Sequence, residues 1–151
     1  MISSANQSAG SRPVAAGDTP WARLKEFLLS HRRDIMTYEP TNETGIHLYS
    51  LGDWWLAFDR SAHRLCTIFP DAPVSVFRFP DSDTSMTMAH ISAASFRDLV
   101  SARTVRTIAP DHIVIPTPML SPGEYRLWRN SKLEENGFIP TGMTLVNKQM
   151  R

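Results

Sequence analysis

The sequence predicts an α+β protein, a mostly antiparallel sheet of five to seven strands with about three helices packed on it. Two observations carry that expectation. Between Ile46 and Phe79, runs rich in aromatic and branched residues at 46–51, 54–59, 64–69 and 74–79 are punctuated by Gly, Asp and Pro. This is the pattern of consecutive antiparallel strands. On both sides of that stretch, apolar residues recur at helical spacing.

The chain has 151 residues, room for one compact domain. Residues 1–17 are mostly Ser, Ala, Gly, Asn and Gln, and no acidic residue precedes Asp18. Such a segment buries too little apolar surface to offset its ordering entropy, so a disordered tail over 1–17 is expected before a single domain over 18–151. Its Ser-rich, acid-free composition resembles the secretion signals of bacterial type III effectors.

The first helix is expected from about Thr19, with Asp18 or Thr19 as cap and Pro20 in its first turn. Trp21, Leu24, Leu28, His31 and Ile35 share one face, with Phe27 beside them. After a loop over 38–45, Gly52-Asp53 suits a type II′ hairpin between two strands. In the second strand Trp54, Leu56 and Phe58 share one face and Trp55, Ala57 and Asp59 the other, as expected of a central strand. A turn over 59–62 leads to a third strand over 64–69, and a fourth follows at 74–79. A fifth at 85–91 alternates through Met86, Met88 and His90.

A helix over 92–103 carries Ala93, Phe96, Leu99 and Val100 on one face, and a strand over 111–116 ends at prolines. Ser121-Pro122-Gly123-Glu124 is a capping box with Pro at the first helical position. The helix it opens bears Tyr125, Trp128 and Leu133 and stops at Gly137. A last strand is expected over 141–148.

Composition narrows the function classes. The net charge of +1 gives no broad pull toward nucleic acid or acidic membranes. The basic trios Arg97, Arg103, Arg106 and Arg126, Arg129, Lys132 read as solvated helix faces. No apolar run reaches the roughly 20 residues of a membrane span. One cysteine, Cys66, excludes an internal disulfide, so a cytoplasmic setting is expected. His63-x-x-Cys66 lacks the second ligand pair of a structural zinc site. Cys66, placed in mid-strand, reads as a buried inert thiol, and His31 as a packed histidine with one hydrogen bond. No G-x-G or Walker pattern occurs, so no metal and no cofactor are expected.

The segment from Asp111 to Gly142 runs strand, helix, then Glu-Asn-Gly-Phe-Ile-Pro-Thr-Gly. It resembles the end of an N-acetyltransferase domain of the GNAT type, which implies an acyltransferase using acyl-coenzyme A. That family holds the pyrophosphate on amides of a Gly-rich helix start. The corresponding stretch, His90 to Ser95, has no Gly, although free amides there remain an anion site. The leading expectation is a non-enzymatic protein-binding module of the inhibitor, immunity, adaptor or small effector type. Its partner is an unidentified protein, and its contact residues are Tyr49, Trp54, Trp55, Tyr125, Trp128 and Arg129. Aromatic and Arg side chains are the types that anchor interfaces.

Overall fold

A computed structural model describes residues 20–137, with side chains from residue 23 onward. The tail over 1–17, the cap at Asp18 or Thr19, the Trp21 side chain and the strand expected over 141–148 fall outside them. The contacts divide the chain into two units, Met1–Ile35 and Met36–Arg151. Helix α1 (Pro20–Tyr38) occupies the described part of the first unit and runs into the second. Within it Phe27 stacks on His31 at 4.1 Å between ring centroids. His31 Nδ1 donates to the Phe27 carbonyl oxygen at 3.1 Å, as a packed helical histidine does.

The second unit continues through a 3₁₀ turn (Glu39–Thr41), β1 (Gly45–Leu51), β2 (Trp54–Phe58), α2 (Asp59–Ile68) and β3 (Val74–Arg78). Then follow β4 (Ser85–Ser92), α3 (Ala93–Ser101), β5 (Arg106–Ala109), β6 (His112–Pro116) and α4 (Pro122–Glu135). The six strands form one sheet in the order β3-β4-β2-β1-β6-β5. Every neighbouring pair is antiparallel. This is the α+β architecture expected from the sequence, with β2 central.

The β1–β2 hairpin pairs Leu51 with Trp54, so its loop has two residues. Gly52 takes φ 61° and Asp53 does not share the positive φ, as a type II′ turn requires. One sheet face carries Ile46, Leu48, Ala57, Ala89, Ile91, Ile113 and Ile115. These meet Ala62 and Leu65 of α2 and Leu99 of α3 in a single apolar core. Helix α4 packs on α2, β3 and β4. The other face is richer in aromatic and imidazole rings: His47, Tyr49, Phe58 and His112 are all buried there.

Two elements differ from the sequence reading. Residues 64–68 are the second half of a helix capped by Phe69, not a strand, and the turn expected at 59–62 is its first part. Leu65, Cys66, Thr67, Ile68 and Phe69 have strand-forming character. However, Ala62 and Leu65, three residues apart, form one face against the core, and burial of that face outweighs local propensity. Cys66 is therefore helical and only partly buried. Strand β5 was not foreseen. Its four residues are largely exposed at the sheet edge, so burial imposes no alternation on them.

The capping box is realised as expected. Ser121 Oγ accepts from the Gly123 and Glu124 amides, and Glu124 Oε1 accepts from the Ser121 amide at 3.3 Å. Gly137 follows at φ 81°. Ser121→Ala strands those amides, at an expected cost of about 0.5–2 kcal/mol. Urea unfolding checks this, and an unchanged midpoint would mean the cap does not hold the helix.

Candidate functional site

The chain leaves the sheet at Asp59, whose φ of 44° is in the left-handed region. Strand β2 pairs with β1 only from Tyr49 to Leu51, so β1 residues nearer Gly45 have no β2 neighbour. Side chains at the start of α2 fill that place. Ser61 Oγ accepts from the His47 amide at 2.9 Å, and Arg64 Nη1 donates to the Gly45 carbonyl oxygen at 3.0 Å. On the other side, Asp59 Oδ1 accepts from the Thr87 amide of β4 at 2.9 Å and from the Thr87 hydroxyl at 3.1 Å.

Behind Ser61 lies Glu39, 2 % exposed. Its two carboxylate oxygens accept from the Ser61 hydroxyl at 2.6 Å and the Ser61 amide at 2.9 Å. Asn42 Nδ2 donates to Ser61 Oγ at 3.0 Å and to the Gly45 carbonyl oxygen at 2.8 Å. A serine beside a carboxylate suggests nucleophilic catalysis. Here Ser61 is fully buried, and both its lone pairs are taken by His47 N and Asn42 Nδ2. No lone pair is left to attack a substrate, so the cluster is a structural clasp.

The six expected contact residues fall in different places. Tyr49 is fully buried against Phe58 and His112 and presents no surface to a partner. Trp55 is half-buried and stacks face to face on Phe96 at 3.8 Å. Tyr125 and Trp128 flank His63 of α2, with the Arg60 guanidinium 4.9 Å from the Tyr125 ring centre. Burial and the nearby Asp59 carboxylate raise the Tyr125 pKa. Arg129 ties α4 to β4 through the Ser85 carbonyl oxygen at 2.7 Å.

Trp54 alone of the six is exposed, at 47 %. Its ring meets His90 edge-on at 4.9 Å. The two walls a cleft of about 390 Å³ with Phe69, Pro70, Pro73 and Ser95. Sequence reasoning missed His90 as a wall residue. Its signal was the alternation Met86, Met88, His90, which puts it on Trp54's face.

Cys66 lines a second cleft, about 290 Å³, with His63, Trp128 and Lys132. Burial pushes its thiol pKa up, away from the reactive thiolate. Among the described residues no cluster of three or more His, Cys, Asp or Glu is arranged to hold a metal. At the start of α3, the Ala93 amide donates to the Asp53 carbonyl oxygen and the Ser95 amide to Ser92 Oγ. Two amides of the stretch that would hold a pyrophosphate are thus engaged internally. The chain matches no family model, and neither a curated protein nor a solved structure shows significant similarity to it.

The clasp makes stability pH-dependent. Burial raises the Glu39 pKa from 4.5 to about 7, against the lowering effect of its Ser61 bonds. The folded state therefore holds this proton more tightly than the unfolded chain. Its contribution is full below pH 4.5 and is lost as pH rises through about 7. At about 1.4 kcal/mol per pH unit, the full loss is on the order of 3 kcal/mol. His47, lowered by burial from 6.5 to about 4, acts oppositely, adding stability as pH rises from 4 to 6.5. Comparing wild type with Glu39→Gln cancels His47 and isolates Glu39. The wild-type advantage should shrink as pH rises from 4.5 to 7, and a pH-independent difference in unfolding free energy would contradict the assignment.

Proposed function

We propose that this protein is a non-enzymatic protein-binding module that captures an apolar side chain of its partner in the Trp54 cleft. The observation that carries this reading is the exposed Trp54 ring, braced by His90 and opening onto a cleft walled by Phe69, Pro70 and Pro73. A large, rigid ring loses little conformational entropy on contact and buries much apolar area, so aromatic anchors of this kind dominate interface energies. Asp71, Ser92 and Ser95 on the cleft walls supply a polar rim. The internal use of the Ala93 and Ser95 amides weighs against the acyltransferase alternative.

The test places a photo-crosslinking aromatic residue at Trp54 and, as control, at Leu127, which is 74 % exposed on α4. A partner from the native host should crosslink saturably at the first position and not at the second. Trp54→Ala should abolish capture while costing less stability than Trp55→Ala, which removes the Phe96 stack and approaches the roughly 3–5 kcal/mol of a core Trp. Acetyl-coenzyme A should leave the thermal midpoint unmoved. A saturable rise, worth about 2.7 kcal/mol at a hundredfold excess over Kd, would overturn this reading in favour of the acyltransferase.

A further inference from the structure

The other half of the sheet carries a polar cleft unrelated to Trp54. His47 of β1 pairs with Val114 of β6, and Val114 pairs with Arg106 of β5. Directly paired residues of antiparallel strands point to the same face, so these three form one row across three strands. Two strand spacings are about 10 Å, within reach of an Arg side chain lying over Val114. The row borders a cleft of about 370 Å³, to which Thr44 and Thr104 also contribute. Gly45 keeps part of its floor open, because a Cβ there would come within 3.0 Å of Val114 Cγ1.

Among the described residues, no carboxylate pairs with the cationic groups at this cleft. His47 is 6 % exposed, and its Nδ1 is 2.9 Å from Nε2 of His112. Tyr38 stacks over the ring at 4.6 Å. Among the described residues, Nε2 of His47 and the Arg106 guanidinium have no hydrogen-bond or ion-pair partner. The groups facing His47 are His112 of β6, Arg106 of β5, Arg64 of α2 and Tyr38 at the end of α1, and none is a carboxylate. Glu39, the acid buried in the clasp, directs its oxygens to Ser61 and Asn42.

We propose that this cleft binds a small oxyanion, a phosphate or carboxylate group, between the Arg106 guanidinium and Nε2 of His47, above Val114. The guanidinium offers a planar pair of N–H donors, and the threonine hydroxyls complete the shell. Binding is coupled to proton uptake. The anion supplies the negative charge that His47 lacks, so the imidazole takes a proton and donates from both nitrogens, to His112 and to the ligand. Affinity therefore strengthens as pH falls.

Sulfate is the probe, because its charge is constant over the range used. It is titrated at constant ionic strength, near pH 5 and near pH 8, following the histidine ring signals by NMR. Saturable binding that shifts His47 and is at least about tenfold tighter at the lower pH is expected. Arg106→Gln, at an exposed edge position, should weaken it by at least about tenfold, while Arg97→Gln, with the same charge change on α3, should not. Displacement of sulfate by inorganic phosphate in preference to acetate assigns the natural ligand to phosphates, and the reverse to carboxylates. Equal sulfate affinity at both pH values, equal affinity in the two Arg variants, or shifts that bypass His47 would overturn the proposal.

Discussion

The fold depends on how the chain leaves the sheet at Asp59. Strand β2 lies between β4 and β1, and its end leaves unpaired backbone groups on both neighbours. Buried backbone N–H and C=O groups without partners cost about 1–3 kcal/mol each. Helix α2 supplies the partners: Asp59 for the Thr87 amide, Ser61 for the His47 amide, and Arg64 for the Gly45 carbonyl. The positive φ of Asp59 is the strain that this exit carries. Because α2 serves both flanking strands, it fixes the position of the core residues Ala62 and Leu65 as well.

Glu39 completes that exit from behind. A buried carboxylate is expensive unless its hydrogen bonds are met. Two donors from Ser61 meet them, while desolvation still raises its pKa into the neutral range. The worth of the clasp therefore changes with pH. The clasp also reaches the oxyanion cleft, since the Ser61 hydroxyl holds the His47 backbone and Arg64 holds Gly45.

The two surfaces singled out above lie on opposite halves of the sheet. Trp54 and His90 belong to β2 and β4, whereas His47, Val114 and Arg106 belong to β1, β6 and β5. They differ in chemistry as well, one aromatic with a polar rim and the other cationic with hydroxyls. The side-chain anchor and the small anion proposed for them would therefore draw on different groups.

By itself, the sequence determined what is encoded locally. The type II′ turn follows from Gly52, which alone of the common residues takes positive φ without penalty. The α4 cap follows from Ser121 and Glu124, three residues apart. The central position of β2 follows from large apolar residues on both its faces. The tertiary structure decided the rest. Residues 64–68 became helix because Ala62 and Leu65 find the core only at helical spacing. Tyr49 is buried and Trp54 exposed although both lie on one sheet face, because Phe58 and His112 cover Tyr49 while Trp54 sits beside the hairpin turn. The Glu39–Ser61 clasp and the His47–Val114–Arg106 row join residues 22 and about 60 positions apart. Only strand pairing and helix docking bring such groups together, so no local spacing could reveal them.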